Sequence, residues 1–266
     1  MYTLSDKRAL VTGASRGLGA AIARELARGG AHVTLSARNE PALERLKREI
    51  ESDGGRADVQ CADLGTRQSC RELARHCGEI DLLVNNAGAT TVNRDKPVIE
   101  TDDELWDESL QLNLLAPLVL MQELGRRMAR RQRGVIVNIT SIAARQGRPL
   151  RGAYTASKAA LEAMTRVAAM ELAPQGVRVL AIAPGMTQTP AVAAALPPGI
   201  SSESLARRYV PIGRMVDPEE LARLCCYLAS DAVPALTGTV ITLDGGMTAG
   251  RYAFTFEPNH PDDQAP

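Results

Sequence analysis

The sequence predicts an α/β protein in which helices cover both faces of a parallel sheet. Short apolar runs of strand length alternate with segments whose apolar residues recur at helical spacing. The run at residues 80–84 is almost wholly apolar, as expected for a parallel strand that is buried on both faces. A turn rich in glycine joins the first apolar run, at residues 7–11, to the first helical segment. This alternation is typical of α/β proteins with one large sheet.

The apolar runs predict seven strands, with helical segments between them. The strands are expected at residues 7–11, 32–36, 57–64, 80–84, 134–140, 177–182 and 240–243. The helices are expected at residues 20–30, 41–50, 66–77, 101–131 and 153–173. In the second helix, Leu43, Leu46 and Ile50 share one apolar face. The first helix closes on Gly29 and Gly30, a common signal for a helix C-terminus.

Composition excludes several classes of protein. The 266 residues carry 31 Lys+Arg and 31 Asp+Glu, so no net field attracts nucleic acid or an anionic membrane. No apolar run approaches the roughly 20 residues that span a bilayer, and no apolar signal core opens the sequence. Five cysteines without a C-x-x-C pair and three scattered histidines predict neither a disulfide framework nor a metal site. We therefore expect a cytoplasmic protein without a nucleic-acid or membrane partner.

The first turn has the character of a phosphate-binding loop. It reads Thr12-Gly13-x-x-x-Gly17-x-Gly19 and lies between a predicted strand and a predicted helix. Glycines allow the backbone to approach a pyrophosphate, and the helix N-terminus offers free N–H groups with a positive dipole end. The spacing differs from the commonest G-x-G-x-x-G fingerprint. An ordinary glycine turn is the alternative interpretation.

The end of the second strand bears on the choice of dinucleotide. An NAD site places a carboxylate there, which accepts hydrogen bonds from the ribose hydroxyls. This strand instead ends Ser36-Ala37-Arg38, and Arg16 lies in the glycine turn. Two guanidiniums suit a 2′-phosphate, so NADP(H) is favoured and NAD(H) is the alternative. The opposing interpretation is that both arginines are ordinary surface residues. Asp63, at the end of the third strand, could accept from an adenine amino group.

A serine, a tyrosine and a lysine in the second half form a candidate catalytic group. Tyr154 and Lys158 are four residues apart on a predicted helix, so they project from one face. An ammonium beside a phenol favours the phenolate and moves its pKa from about 10 toward neutrality, where a general acid/base works best. Ser141, after the run at residues 135–139, can hydrogen-bond the oxygen on which charge changes. The alternative is an incidental pair on an exposed helix face.

Five motifs, taken together and in this order, resemble the short-chain dehydrogenase/reductase family, over residues 7–246. They are Thr12-Gly13-x-x-x-Gly17-x-Gly19, Asn85-Asn86-Ala87-Gly88, Ser141, Tyr154-x-x-x-Lys158 and Pro184-Gly185. The resemblance implies one Rossmann-type domain at residues 1–250, with a doubly wound parallel sheet of seven strands and helices on both faces. Residues 251–266 would form a C-terminal extension.

The resemblance also implies roles for individual residues. Tyr154 would exchange a proton with the substrate oxygen, and Ser141 would position that oxygen. Lys158 would lower the pKa of Tyr154 and bind the nicotinamide ribose, while Asn113 would hold a water that links the lysine to solvent. A mid-helix amide with satisfied hydrogen bonds is the alternative for Asn113. The implied cofactor site comprises Gly13, Ser15, Arg16, Gly17, Leu18, Gly19, Arg38, Asp63, Leu64, Asn86, Ala87, Gly88, Tyr154, Lys158, Pro184, Gly185 and Thr187.

The implied function is an NADP(H)-dependent oxidoreductase that interconverts a ketone and a secondary alcohol by hydride transfer, with Tyr154 as general acid/base. An NAD(H)-preferring sugar-acid or secondary-alcohol dehydrogenase and a 3-oxoacyl-acyl-carrier-protein reductase are alternatives. A catalytically idle nucleotide sensor is the alternative outside enzymes. The small carbonyl or alcohol substrate is expected to meet residues 89–101, 143–153 and 186–214. Arg145, Arg148 and Arg151 could recognise an anionic group or belong to an exposed loop.

The two long helices predict a homotetramer, or at least a homodimer. The segment at residues 153–173 is rich in alanine, which allows helices to approach closely, and it adds Met164, Val167 and Met170. Two-fold pairing of such helices would bury this surface isologously. Tyr252, Phe254 and Phe256 alternate in the manner of a half-buried strand and are expected to pack on a neighbouring subunit, and a mobile, solvated tail is the alternative.

Overall fold

The computed structural model describes residues 3–89, 94, 96–193, 196 and 201–250. Within them, seven parallel strands form one sheet in the order β3-β2-β1-β4-β5-β6-β7, which confirms the predicted fold class. The strands are β1 (Arg8–Thr12), β2 (His32–Ala37), β3 (Arg56–Cys61), β4 (Leu82–Asn85), β5 (Gly134–Ile139), β6 (Val177–Pro184) and β7 (Val240–Leu243). The predicted C-terminal extension, with its three aromatics, lies outside the described residues.

The helices occupy the segments of the chain between consecutive strands. They are α1 (Gly17–Arg28), α2 (Glu40–Ser52), α3 (Arg67–His76), α4 (Asp103–Leu110), α5 (Ala116–Arg130), α6 (Gly152–Leu172), α7 (Pro190–Ala193), α8 (Ser202–Tyr209) and α9 (Pro218–Ala229). No helix of the described residues is both long and apolar enough to span a bilayer.

Two apolar layers hold the helices on opposite faces of the sheet. Along β1, Ala9 and Val11 pack into the layer formed with α1, α2 and α9, whereas Leu10 packs into the layer formed with α3, α5 and α6. Successive side chains of a strand point to opposite faces, so a continuous apolar run feeds both layers. The reversal of strand order beside β1 leaves a crevice at the carboxyl ends of the strands, where sheets of this kind bind ligands.

The predicted long helix at residues 101–131 is confirmed as helical over residues 103–130, but it is not one regular α-helix. A π-helical turn (Gln111–Leu115) separates α4 from α5, and the amide of Ala116 donates to the carbonyl of Gln111. Pro117 has no N–H, so the amide that would bond the Asn113 carbonyl in a regular α-helix is missing. A π-helical turn of this kind occurs frequently at functional sites. Asn113 lies in the middle of this one.

Candidate active site

The predicted site residues lie at or just beyond the carboxyl ends of consecutive strands. The glycine turn follows β1, and Arg38 follows β2. Strand β3 is shorter than predicted and ends at Cys61, so Asp63 and Leu64 lie on the loop beyond it. The segment at residues 86–88 follows β4, and Ser141 follows β5 by two residues. Parallel strands therefore bring together residues that are distant in the sequence.

The glycine turn requires glycine at its closest contacts. A Cβ at Gly13 would lie 2.9 Å from the Cα of Ala87, and one at Gly19 would lie 2.2 Å from the carbonyl oxygen of Gly13. Thr12 ties the turn to the segment after β4, since its Oγ1 accepts from the amides of Asn86 and Ala87, each at 3.0 Å. No side chain caps the N-terminus of α1, so its first N–H groups stay available to a ligand.

A groove of about 670 Å³ runs along these strand ends. Its lining includes twelve of the predicted cofactor residues: Gly13, Ser15, Arg16, Gly17, Leu18, Gly19, Arg38, Asp63, Leu64, Asn86, Ala87 and Gly88. It also includes residues that sequence reasoning missed as site residues, namely Ser36, Ala37, Asn39, Ala42, Arg45, Ala62, Leu112, Thr189 and Pro190. The glycine cradle and the uncapped helix end fit the pyrophosphate of a dinucleotide.

Two further features of the groove bear on the ligand that it fits. The hydroxyl of Ser36, a residue only 1% exposed, has no hydrogen-bond partner although it belongs to the groove lining. Within the described part of the chain, the guanidiniums of Arg16, Arg38 and Arg45 also form no ion pair or hydrogen bond. A buried polar group without a partner is costly, and three exposed guanidiniums along one groove give it a positive charge. An anionic ligand with hydrogen-bonding oxygens would relieve both.

The candidate catalytic group lies where β5 meets the first turns of α6. Tyr154 and Lys158 are one helical turn apart, and the lysine Nζ is 6.0 Å from the centre of the tyrosine ring. The same Nζ donates to the carbonyl of Ile139 at 2.9 Å. Ser141 hydrogen-bonds the Tyr154 hydroxyl, and its Oγ accepts from the amide of Ala143 at 3.2 Å. The structure therefore brings the three predicted residues together.

Burial dominates the electrostatics of this group. Burial raises the pKa of the Tyr154 phenol, although the residue keeps some exposed surface, and this outweighs the lowering by the Ser141 hydrogen bond and the charge of Arg151. The Lys158 Nζ donates to the Ile139 carbonyl and lies 6.0 Å from the centre of the tyrosine ring, so the expected lowering of the tyrosine pKa by the lysine stays a prediction. Burial also lowers the pKa of Lys158 to about 8. The ammonium is directed at a backbone carbonyl instead of the phenol.

Asn113 connects the segment after β4 to α6. It is fully buried; its Oδ1 accepts from the amide of Ala89 at 3.0 Å, and its Nδ2 donates to the Ala89 carbonyl at 3.2 Å and to Ser157 Oγ at 3.0 Å. A Cβ on Gly88 would lie 2.6 Å from the Asn113 Oδ1 and 3.5 Å from the Lys158 Nζ. The amide is thus satisfied by protein groups, and the implied water remains a prediction.

The remaining predicted residues occupy other parts of this edge. Pro184, Gly185 and Thr187, at and after the end of β6, are not in the groove lining. The Gly185 amide donates to the carbonyl of Leu243 at 2.9 Å, and Thr187 Oγ1 donates to the Gly185 carbonyl at 3.2 Å. Their predicted contact with the nicotinamide remains a prediction.

Arg145 binds protein groups, which disfavours the interpretation that it recognises an anionic substrate. Its Nε donates to Glu162 at 3.2 Å, and its two terminal nitrogens donate to Thr242 Oγ1 at 3.1 Å and to the Val240 carbonyl at 3.3 Å. The guanidinium therefore ties the loop after Ser141 to α6 and β7.

Comparisons with known proteins agree with this geometry. The family model described as enoyl-(acyl carrier protein) reductase matches residues 13–248. A 3-oxoacyl-acyl-carrier-protein reductase of Thermotoga maritima is 36% identical, covering 92% of this chain and 98% of that protein. A gluconate 5-dehydrogenase of Gluconobacter oxydans is 34% identical, covering 93% and 97%.

Solved structures show the same fold. A Beutenbergia cavernae protein, described as a candidate NAD(P)-dependent gluconate 5-dehydrogenase with NADP bound at low occupancy, superposes with a TM-score of 0.87 at 36% identity, covering 93% of this chain and 99% of that one. A 7α-hydroxysteroid dehydrogenase complexed with NADH and 7-oxo glycochenodeoxycholic acid gives 0.85 at 32% identity, covering 92% and 95%. The chain belongs to the short-chain dehydrogenase/reductase family of NAD(P)-dependent oxidoreductases.

Proposed function

We propose that this protein is an NADP(H)-dependent oxidoreductase that interconverts a ketone and a secondary alcohol, with Tyr154 as the general acid/base. The observation that carries the proposal is the meeting of Ser141, Tyr154 and Lys158 beside a groove whose glycines and helix end fit a dinucleotide. The nicotinamide, when bound, supplies the hydride in reduction and accepts it in oxidation. Residues of the chain transfer the proton and orient the reacting oxygen.

Tyr154 transfers the proton to or from the substrate oxygen. In reduction its hydroxyl donates to the carbonyl oxygen as negative charge develops there, and in oxidation its phenolate takes the proton of the alcohol. Ser141, which hydrogen-bonds the same hydroxyl, orients the reacting oxygen between the two side chains. Lys158 brings a positive charge within 6.0 Å of the tyrosine ring and favours the phenolate when its ammonium turns from Ile139 toward the site. We also assign to this ammonium the binding of the nicotinamide ribose.

The preference for NADP(H) is proposed from the charges around the groove. Arg16, Arg38 and Arg45 supply three unpaired guanidiniums, and no carboxylate takes the position at the end of β2. A 2′-phosphate can accept charge-assisted, bidentate hydrogen bonds from such groups. The unpartnered hydroxyl of Ser36 adds a further donor beside Arg38. An NAD(H) ribose would leave these cations without a partner.

Arg38→Asp is expected to reverse the cofactor preference, because it removes a phosphate partner and adds an acceptor for ribose hydroxyls. A charge-assisted hydrogen bond contributes about 1.5 to 3 kcal/mol, so discrimination should change by roughly 10- to 150-fold. The measurement is kcat/KM with NADPH and with NADH. Arg48→Asp is the matched control, since Arg48 is exposed on α2 and does not line the groove. Equal kcat/KM of the wild type with both cofactors would refute the assignment.

Apolar side chains at the expected substrate segments favour a substrate with an apolar body. Among the large apolar residues that the described chain exposes, five fall within these segments: Val98, Ile99, Leu150, Tyr209 and Ile212. A sugar acid would gain little from contact with such side chains, whereas a cyclic or acyl ketone would bury apolar surface against them. A screen in both directions should therefore give higher kcat/KM with apolar ketones than with sugar acids. The reverse order would favour a sugar-acid dehydrogenase.

We also propose that the protein is a homotetramer or a homodimer built on α6. The other two exposed apolar side chains, Val167 and Met170, lie on this helix, and Met170 is 72% exposed. Light scattering at micromolar concentration should give a multiple of the 28.4 kDa chain mass. Met170→Asp should weaken the assembly, whereas Tyr209→Asp, at an exposed residue on α8, should not. A mass near that of one chain for the wild type would exclude the oligomer.

A further inference from the structure

Glu162 is a buried carboxylate on the catalytic helix that the proposed chemistry does not use. It follows Lys158 by one turn of α6 and Tyr154 by two, and it is only 3% exposed. Burying a charged carboxylate costs several kcal/mol unless charges and hydrogen bonds compensate it. The partners of Glu162 therefore indicate what the carboxylate holds in place.

These partners lie on both sides of Ser141 in the sequence. The Glu162 Oε1 lies 3.4 Å from the hydroxyl of Thr140, whose proton is shared between this carboxylate and the Ile182 carbonyl at 3.2 Å, and the Glu162 Oε2 accepts from the Nε of Arg145 at 3.2 Å. Thr140 immediately precedes Ser141, and Arg145 ends the short 3₁₀ turn (Ile142–Ala144) that Ser141 begins. One carboxylate on the helix that carries Tyr154 thus holds both ends of the segment that carries Ser141.

The sheet completes this arrangement. The amide of Thr140 donates to the Ile182 carbonyl of β6 at 2.8 Å, and Arg145 reaches Thr242 and Val240 of β7. The segment 140–145 is therefore fixed against α6 and two strands at once. Within this segment, Ser141 Oγ accepts from the amide of Ala143, which leaves its O–H to donate to the Tyr154 hydroxyl or, when substrate is bound, to the reacting oxygen.

We propose that Glu162, through Thr140 and Arg145, is a positioning residue that sets the Ser141 hydroxyl against Tyr154. The proposal rests on the proposed roles of Ser141 and Tyr154. Displacing a reacting group by about 1 Å can lower the rate by about 10²-fold. Loss of the Glu162 contacts should therefore lower kcat more than it weakens binding. The NADP(H) groove does not include Glu162, Thr140 or Arg145, so cofactor affinity stays unchanged when the support is lost.

A double-mutant cycle on the purified full chain tests the proposal. Glu162→Ala is expected to lower kcat by roughly 10- to 100-fold, with the Kd for NADPH unchanged. Ser141→Ala lowers kcat as well, and the double variant is expected to be no slower than Ser141→Ala alone, because Glu162 acts through Ser141. Multiplicative losses in the double variant would overturn the proposal, since they indicate a separate structural effect.

Two further variants keep the test decisive. Arg145→Lys keeps a positive charge beside the buried carboxylate, so it preserves folding if Glu162→Ala does not. It loses the bonds to Thr242 and Val240, and the same non-additivity with Ser141→Ala is expected. Arg166→Ala is the matched control: this guanidinium lies 3.8 Å from the same carboxylate but does not contact the segment 140–145. An equal loss of kcat in Arg166→Ala would contradict the proposal. Full turnover in Ser141→Ala or Tyr154→Phe would refute the proposed function instead.

Discussion

Replacing Tyr154 by phenylalanine is expected to abolish turnover while leaving NADPH binding nearly intact. The phenol is the proposed proton donor, and it lies beside both Ser141 and Lys158. General acid/base catalysis contributes roughly 10² to 10⁴ in rate, so kcat should fall by a factor in that range. The measurement combines initial rates with a fluorescence titration of NADPH. The ring is retained in phenylalanine, so its packing is preserved.

Tyr227→Phe provides the matched control for this loss. This variant removes a tyrosine hydroxyl from α9, which packs on the face of the sheet opposite to α6, and it should leave kcat unchanged. Activity of Tyr154→Phe above about a hundredth of the wild-type value would contradict the assignment of Tyr154 as general acid/base. The contrast between the two variants separates proton transfer from a general effect of losing a tyrosine hydroxyl.

Lys158→Ala is expected to lower both kcat and the affinity for NADPH, because we propose that one ammonium serves both the phenol and the nicotinamide ribose. Burial lowers the pKa of Lys158 to about 8, so the ammonium is the major form at neutral pH. Its support for the phenolate should be present below that pH and fade as the pH rises through it. The pH profile of alcohol oxidation in the variant should shift upward, since phenolate formation loses a favourable charge.

The control for this change is Lys47→Ala, which removes an ammonium on α2 that pairs only with Glu51 among the described residues. It should leave kcat and NADPH affinity unchanged. Unchanged NADPH affinity in Lys158→Ala, with reduced kcat, would contradict the dual role and restrict the lysine to proton transfer.

Local patterns were sufficient to predict much of the fold. The run at residues 80–84 indicated a doubly covered strand, and β4 is buried on both faces. The first turn requires glycine because a Cβ at Gly13 or Gly19 would be too close to its neighbours and because Gly13 and Gly17 have positive φ. The spacing of glycines in the sequence matches these requirements. Such signals are readable because each depends on neighbours in the sequence.

Features that depend on tertiary contacts were not predictable in this way. The π-helical turn at Asn113 results from Pro117 together with hydrogen bonds to Ala89 and Ser157, and helical periodicity alone conceals it. Pro117 was the available signal, since proline inside a helix removes a backbone donor. Likewise, the interpretation of Arg145 depended on Glu162, which is 17 residues away and reaches it only through the fold.

The pKa of Tyr154 shows the same limit. Spacing on a helix predicts that Lys158 and the phenol share a face, but it does not predict where the ammonium points. In the structure the Lys158 ammonium donates to the Ile139 carbonyl, and burial, which raises the tyrosine pKa, is the largest influence on it. Arg45 was missed because it lies in the second turn of α2, away from the strand end where cofactor preference is normally sought.

The central claim is that this chain performs cofactor-dependent chemistry on a carbonyl through Tyr154. The most direct measurement follows NADPH absorbance while the purified full chain meets a panel of ketones, with secondary alcohols and NADP⁺ for the reverse direction. We expect ketone-dependent loss of NADPH absorbance in the wild type that disappears in Tyr154→Phe. Binding of nucleotide without turnover of any ketone or alcohol, with either cofactor, would contradict the claim and identify a catalytically idle sensor.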